Sequence, residues 1–207
     1  MAKCIIIAPL YAGEEAEFLR KEPGDLLLCA DGGYDAAVAA GMSPDLAIGD
    51  FDSMPADHVR GCPTLRLPTH KDDTDLVACL REGRTRGYRE FRLAGCLGGR
   101  LDHTFSALQC VYDCALRGET AWICDGVSRA TVLTPGRYRL PAEAGRMLSL
   151  LAFDGDVSDV CLSGTEWSLR HAVLTGRYPL GCSNEFRAEA AELSFASGAL
   201  LAVYARP

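Results

Sequence analysis

The fold is decided by residues 44–53, which read PDLAIGDFDS. Residues 46–48 form a short apolar run that is typical of the end of a buried strand. Gly49 ends this run, and the carboxylates of Asp50 and Asp52 follow at once. Proteins with parallel sheets bind their ligands beyond the carboxyl ends of the strands. These two acids are therefore candidates for a ligand or metal site.

A second acidic group, KDDTD at positions 71–75, precedes a helical pattern. Asp72 and Asp75 are three residues apart and therefore share one face of the first helical turn. One could be the helix N-cap and the other its capping-box partner, or both could face a metal. Acids crowded at strand and helix ends repel one another, and oxygen-rich clusters of this kind suit Mg²⁺. Solubilising loop charge with ordinary caps is the alternative for either group alone.

Through the first 125 residues, apolar runs without polar alternation are separated by helical patterns. The runs predict buried strands at residues 5–8, 25–30, 46–48, 65–67, 91–94 and 120–124. The helical patterns predict a short acidic helix ending near residue 19 and helices over residues 36–40, 73–86 and from about 103 to 117. Strands that alternate with helices predict a parallel α/β sheet.

The pattern changes after about residue 125, where glycines separate short strand-like runs and no segment has a helical period. These runs are at residues 131–133, 137–140, 147–153, 157–162, 190–195 and 200–204. Such a series predicts a small β-sandwich. We therefore expect an α/β protein in which a parallel-sheet domain, residues 1–126, is followed by a C-terminal β-sandwich domain, residues 127–207.

Two glycine-containing loops follow predicted strands. In GCLGGRLDH, residues 95–103, glycine N–H groups at a helix start can cradle phosphate, and Arg100 can grip it with two hydrogen bonds. Asp102 places a carboxylate in the same pocket, which fits a metal-bridged polyphosphate, whereas a purely structural turn is the alternative. The glycines of residues 31–33, DGG, permit the close approach of a ligand, but a plain strand-to-helix turn explains them equally well.

In the second half of the chain, Trp167 and the polar turn at residues 181–185, GCSNE, also draw attention. From the residues alone, a core tryptophan and an ordinary hairpin are the default interpretations.

Charge and cysteine usage limit the classes of partner. The net charge of −7 argues against nonspecific binding of nucleic acid or of an anionic membrane surface. The ten cysteines are scattered, form no CxxC pair and lie mostly in apolar runs, which predicts buried free thiols in a reducing cytoplasm. The first apolar run is short and soon followed by acids, so it is interpreted as a strand rather than a signal peptide. No segment approaches the length of a membrane span.

The chain resembles the thiamine pyrophosphokinase family along nearly its whole length. The resemblance is carried by DGGYDAAVAAGMSPDLAIGDFDS at residues 31–53, THKDDTD at 69–75, GGRLDHT at 98–104, GTEWSL at 164–169 and GCSNEF at 181–186. It implies transfer of pyrophosphate from ATP to thiamine, which gives thiamine diphosphate and AMP. It also implies an ATP-binding α/β domain, a thiamine-binding β-sandwich, and a homodimer with shared active sites.

The resemblance further implies roles for individual residues. The acids that position the substrates are Asp50, Asp52, Asp72, Asp75 and Asp102, and of these Asp50, Asp52, Asp75 and Asp102 would hold Mg²⁺. The ATP pocket would contain Asp31, Gly32, Gly98, Gly99, Arg100 and His103. The thiamine site would contain Trp167, Ser183 and Asn184. One position departs from the family pattern, since Ala107 stands where the family often has Asn.

Two other functions are compatible with the acidic pair at residues 50–52. A metal-dependent phosphohydrolase would release phosphate without an acceptor, although it would not need the second domain. A non-catalytic nucleotide or vitamin sensor would release nothing, although a binding module has little use for so many repelling acids.

Overall fold

A computed structural model describes residues 2–51, 59, 61–68 and 73–207. It divides into two compact units, Met1–Gly126 and Val127–Pro207. None of the helices in the described part of the chain is both long and apolar enough to cross a membrane.

The first unit contains a six-stranded parallel sheet, as the sequence predicts. Its strands are β1 (Cys4–Ile7), β2 (Leu26–Ala30), β3 (Leu46–Gly49), β4 (Thr64–Arg66), β5 (Glu90–Ala94) and β6 (Thr120–Cys124). Every residue of β1, β2 and β3 is buried. Their continuous apolar runs follow from this burial, because a strand covered on both faces has no side that favours polar residues.

The order of these strands is β4-β3-β2-β1-β5-β6, with all neighbours parallel. The chain therefore builds outward from β1 on one side and then returns to place β5 on its other side. Such a reversal of strand order opens a crevice at the carboxyl ends of the two central strands, which is where sheets of this type bind ligands. In this unit the crevice lies beyond the ends of β1 and β5.

Among the described residues of this unit, three helices accompany the sheet: α1 (Gly33–Ala39), α2 (Asp75–Thr85) and α3 (Leu101–Leu116). The predicted acidic helix that ends near Leu19 is wrong, because residues 14–19 form turns. One helix-like hydrogen bond is present, from the Leu19 N–H to the Glu15 carbonyl at 2.9 Å. Glu15 itself has a φ of 57°, a left-handed conformation that no α-helix contains.

The second unit is all-β, which confirms the predicted change of class. Its strands are β7 (Ser128–Leu133), β8 (Gly136–Pro141), β9 (Met147–Ala152), β10 (Val157–Ser163), β11 (Leu169–Leu174), β12 (Ala190–Phe195) and β13 (Leu200–Ala205). The strands β7, β13 and β9 are antiparallel neighbours, and a four-stranded antiparallel sheet has the order β11-β10-β12-β8. Sequence patterns did not predict β11.

All ten cysteines are free thiols, and seven of them are buried. This confirms the expectation of buried, unpaired cysteines. Burial raises the pKa of the Cys29 thiol to about 12, so it stays protonated and unreactive at neutral pH.

Candidate functional site

Two of the predicted site acids lie side by side at the carboxyl edge of the sheet. Asp31 follows β2 and Asp50 follows the neighbouring strand β3. Gly49, which precedes Asp50, packs closely against Asp31. A Cβ atom added to Gly49 would lie 3.0 Å from the Asp31 Cα and Oδ1 atoms. The Asp31 N–H donates to the Ile48 carbonyl at 2.8 Å, and this hydrogen bond holds the Asp31 backbone against the end of β3. Glycine at position 49 therefore allows two half-buried carboxylates to face the same edge.

The glycine loop after β5 packs directly on the loop that follows β1. Gly95 has a φ of 73°, and a Cβ atom there would lie 2.3 Å from the Ala8 carbonyl oxygen and 2.4 Å from the Tyr11 nitrogen. The Leu10 N–H donates to the Gly95 carbonyl at 3.2 Å. No side chain fits between these two loops at position 95, so glycine there lets the loops after β1 and β5 contact each other backbone to backbone.

Farther along this loop, Gly98 and Gly99 are exposed and have φ values of 88° and 61°. They lead into α3, whose N-cap residue, Arg100, makes no side-chain capping hydrogen bond. The loop thus brings exposed glycines to the positive end of a 16-residue helix, an arrangement that suits an anion.

Arg100 and Asp102 contact each other rather than pointing apart. The Arg100 Nε and Nη2 atoms donate to the two Asp102 carboxylate oxygens at 3.1 and 2.5 Å. This pair lowers the pKa of Asp102, which also accepts a hydrogen bond from the His103 N–H at 3.1 Å. Both side chains are more than 60% exposed, so a ligand that competes for either one displaces only a weak surface pair.

Asp75 lies in the first turn of α2 and is half-buried. Thr74 is the N-cap of this helix, because its hydroxyl accepts a hydrogen bond from the Val77 N–H at 3.3 Å. The alternative that one of Asp72 and Asp75 is the N-cap of this helix is therefore wrong. Asp52 and Asp72 lie outside the described residues.

The described acids offer only oxygen donors. Asp50 and Asp75 are half-buried, and Asp102 is exposed. Carboxylate oxygen is the ligand type that Mg²⁺ takes in proteins, whereas thiolate or imidazole sets select softer metals. The chemistry of these donors thus fits Mg²⁺.

In the second unit, Trp167 is 59% exposed, so the interpretation as a core tryptophan is wrong. Its backbone is held by Asn184, which is only 7% exposed. The Trp167 N–H donates to the Asn184 Oδ1 at 3.1 Å, and the Asn184 Nδ2 donates to the Trp167 carbonyl at 2.8 Å. The Thr165 hydroxyl donates to that same carbonyl at 3.2 Å. The indole is thus exposed to solvent, while three hydrogen bonds hold the Trp167 backbone in place.

Ser183, the third residue expected at the thiamine site, is exposed and has a φ of 57°. Its N–H donates to the Ser149 hydroxyl at 2.9 Å. Sequence reasoning missed the supporting roles of Ser149 and Thr165, and no local signal marks them. Ala107, the position that departs from the family pattern, is buried in α3.

The fold and the site place this chain in a class of proteins that have two successive units. The first unit is a parallel α/β sheet with acids and a glycine loop at its carboxyl edge, and the second is all-β with an exposed tryptophan. Comparison with known families agrees with this division. The family model described as "Thiamin pyrophosphokinase, catalytic domain" matches residues 21–123, and "Thiamin pyrophosphokinase, vitamin B1 binding domain" matches residues 137–200. The chain belongs to the thiamine pyrophosphokinase family.

Individual relatives are similar over most of their length. Thiamine pyrophosphokinase of Bacillus subtilis (strain 168) is 27% identical over 184 residues, which cover 86% of each chain. The crystal structure of thiamin pyrophosphokinase from Geobacillus thermodenitrificans has a TM-score of 0.86 at 25% identity, covering 100% of this chain and 98% of that one. The Candida albicans thiamin pyrophosphokinase has a TM-score of 0.82 at 13% identity over 100% and 89%, which shows the shared fold.

Proposed function

We propose that this protein transfers the pyrophosphoryl group of ATP to the hydroxyl of thiamine, giving thiamine diphosphate and AMP. The observation that carries this proposal is that a catalytic-domain model and a vitamin B1-binding-domain model match the chain in succession. A phosphohydrolase accounts for the first match only. A transferase needs both, because it must bind an acceptor as well as a phosphate donor.

The crevice between β1 and β5 is the proposed binding site for ATP. Support comes from the reversal of strand order between β1 and β5 and from the exposed glycines 98 and 99 at the start of α3. N–H groups of this loop would bind phosphate oxygens, and Arg100 would turn from Asp102 to grip phosphate with two parallel hydrogen bonds. The further ATP-pocket residues in the proposal are Asp31, Gly32 and His103.

The neighbouring acids are the proposed Mg²⁺ site. Asp50, Asp52, Asp75 and Asp102 would hold the ion, and Asp72 would help to position the substrates. When bound, Mg²⁺ neutralises phosphate charge and relieves the repulsion among the carboxylates. The protein's own part is to align the thiamine hydroxyl with the β-phosphorus of ATP, and such positioning supplies much of the acceleration in phosphoryl transfer.

Trp167 is the proposed platform for thiamine. The thiazolium ring carries a positive charge, which an indole face attracts while the pyrimidine ring stacks. Asn184 has its carbonyl oxygen occupied by backbone N–H groups of Trp167 and Glu185, so its part in the proposal is to position the tryptophan. Ser183, the residue before Asn184, is exposed and would contact thiamine directly.

We further propose a homodimer with shared sites that works in the reducing cytoplasm. The acids and the glycine loop belong to the first unit, whereas Trp167 belongs to the second, so a two-fold dimer can build each site from two chains. Ten free thiols support the reducing compartment. The net charge of −7 speaks against a nucleic acid partner.

One incubation separates the three candidate functions. The protein is mixed with MgATP and thiamine, and AMP, phosphate and thiamine diphosphate are quantified, with parallel samples that lack thiamine or contain excess chelator. We expect AMP and thiamine diphosphate in equal amounts, and neither in the two controls. Free phosphate released without thiamine would instead identify a phosphohydrolase, and the absence of any product would indicate a non-catalytic sensor.

A further inference from the structure

The second unit contains a group of three potential metal ligands that includes none of the residues assigned above. Asp159 and Cys161 are on β10 and His171 is on the adjacent strand β11. Their ligand atoms all lie within 4.8 Å of one another, which among the described residues makes this the one cluster of its kind. The His171 Nδ1 atom is 2.5 Å from the Asp159 Oδ1 and 3.9 Å from the Cys161 Sγ.

Irregular pairing between β10 and β11 brings these three side chains together. Between the pairs Val157–Leu174 and Val160–Ala172, β10 advances three residues while β11 advances two. Up to the next pair, Leu162–Leu169, β11 advances three while β10 advances two. Each strand therefore contains one β-bulge, and a bulge redirects the side chains around it.

The extra residues of the two bulges include two of the three ligands. Asp159 and His171 both have left-handed backbones, with φ values of 57° and 49°, which residues other than glycine seldom adopt. Cys161 follows two residues after Asp159 and is half-buried. The His171 N–H also donates to the Cys161 Sγ at 3.4 Å. The two bulges thus converge on one thiol.

The chemistry of this set differs from that of the acidic site in the first unit. A thiolate, an imidazole and a carboxylate are the ligand types that Zn²⁺ accepts in proteins, whereas Mg²⁺ avoids sulfur. Tetrahedral Zn²⁺ with ordinary bond lengths needs about 3.4 Å between nitrogen and oxygen and about 3.6 Å between sulfur and nitrogen. The remaining pair, the Asp159 oxygen and the Cys161 sulfur, lies within 4.8 Å and needs about 3.6 Å. The Asp159 and His171 side chains, 54% and 79% exposed, can make the necessary shifts of about 1 Å by rotation.

We propose that Asp159, Cys161 and His171 form a binding site for a zinc-type transition-metal ion that joins β11 to β10. Three protein ligands leave a fourth position to water. The strand β11 is at the edge of its sheet, and β10 is its neighbour in the strand order. An ion held by both strands stabilises the folded unit, because the unfolded chain does not bring the three ligands together.

Cobalt provides the direct test, since Co²⁺ replaces Zn²⁺ and a bound thiolate gives it a charge-transfer band. The full-length protein, without an affinity tag, is titrated with Co²⁺ in excess Mg²⁺, which occupies sites made of oxygen alone. We expect one equivalent per chain with a thiolate band in the wild type. The band should vanish in Cys161→Ser and persist in Cys182→Ser, whose thiol is also exposed. His171→Ala should weaken binding by more than the roughly 10–100-fold that loss of an outer partner costs.

A thermal measurement tests the stabilising role and does not depend on enzymatic activity. At a hundredfold excess over its Kd, Zn²⁺ should raise the Tm of the wild type by about 5–10 °C and leave that of Cys161→Ser unchanged. The proposal is overturned if the wild type gives no thiolate band, if the band survives in Cys161→Ser, or if Cys182→Ser abolishes it. An unchanged Tm in a wild type that binds the ion would overturn the stabilising role.

Discussion

At the scale of single residues, the arginine beside the glycine loop has two competing partners. Arg100 holds both oxygens of Asp102 in the structure, and in the proposed reaction it holds phosphate. An exposed pair of this kind contributes little to stability, so the exchange of partners has a low cost. Asp102 would then be available to the metal at the moment when phosphate arrives.

The first prediction is that Arg100→Lys raises the KM for MgATP by about tenfold and changes the KM for thiamine little. Lysine keeps the positive charge but loses the planar pair of donors, and about 1.4 kcal/mol corresponds to that factor. Steady-state kinetics with each substrate varied in turn measures both constants. Arg177→Lys, another exposed arginine, is the matched control and should behave as the wild type. An unchanged constant for MgATP would place Arg100 outside the phosphate site.

The second prediction concerns the exposed indole. Trp167→Ala should raise the KM for thiamine by about ten- to a hundredfold, which corresponds to 1–3 kcal/mol of lost contact with the cationic ring. Because the side chain is 59% exposed, the free energy of unfolding should stay within about 0.5 kcal/mol of wild type. Initial rates at varied thiamine concentrations measure the KM, and urea unfolding measures the free energy of unfolding.

Trp122→Phe supplies the control for that substitution. The Trp122 ring packs edge-on against Phe18, with ring centroids 6.3 Å apart, in the first unit. Its replacement should affect stability more than the KM for thiamine. If Trp167→Ala destabilises the protein strongly and leaves the constant for thiamine unchanged, the indole has a structural role instead.

At the scale of loops and strands, the glycines after β5 differ in what surrounds them. Gly95 and Gly98 both have positive φ values, but only at Gly95 would a Cβ atom meet other backbone atoms. At Gly98 nothing lies within 4 Å. The two positions therefore separate the cost of an unfavourable backbone from the cost of a steric clash.

The third prediction uses this difference. Gly98→Ala should lower the free energy of unfolding by about 1–2 kcal/mol, the cost of a left-handed alanine. Gly95→Ala adds the displacement of packed backbone and should cost about 3 kcal/mol or more. Urea unfolding with an unchanged m-value compares the two. Equal losses for both variants would contradict the close packing of the loops after β1 and β5.

Sequence patterns predicted most of the strands because most of them are either wholly buried or regularly alternating. The strand β11 is neither. Its bulge puts Leu169 and Ala172, the half-buried residues, three positions apart, so no period of two survives. The false helix before Leu19 had the composition of a helix, but the left-handed Glu15 limits it to a turn.

The positions of Asp31 and Asp50 at the ends of β2 and β3 could be predicted from the same patterns, because each residue directly follows an apolar run or its closing glycine. What could not be predicted is which polar groups satisfy each other. Asn184 reaches the Trp167 backbone across 17 residues of chain, and only the folded second unit brings them together. Arg100 and Asp102 were each assigned to a ligand, although their nearest charged partners are each other.

At the scale of the whole molecule, the residues assigned to ATP and those assigned to thiamine belong to different compact units. A two-fold dimer with shared sites would take the acids from one chain and the tryptophan from its partner. Subunit mixing distinguishes this arrangement from a site made by one chain.

The fourth prediction is that mixing inactive Asp50→Asn dimers with Trp167→Ala dimers restores activity. With shared sites, each mixed dimer has one site with both lesions and one with neither. Random exchange of equal amounts should therefore give roughly a quarter of the wild-type rate, measured at a thiamine concentration well below the wild-type KM. Native mass spectrometry confirms that the chains have exchanged. A rate that stays at the average of the two parents would assign each site to a single chain.

The two bulges between β10 and β11 also have a consequence for the behaviour of the protein at high concentration. A long, regular edge strand offers a row of backbone donors and acceptors on which a strand of another molecule can assemble. In β11 that row is interrupted at the bulge, where His171 has a left-handed backbone. An incoming strand would lose register there, so β11 is a poor template for edge-to-edge strand pairing. The bulge therefore protects the protein from aggregation through this edge.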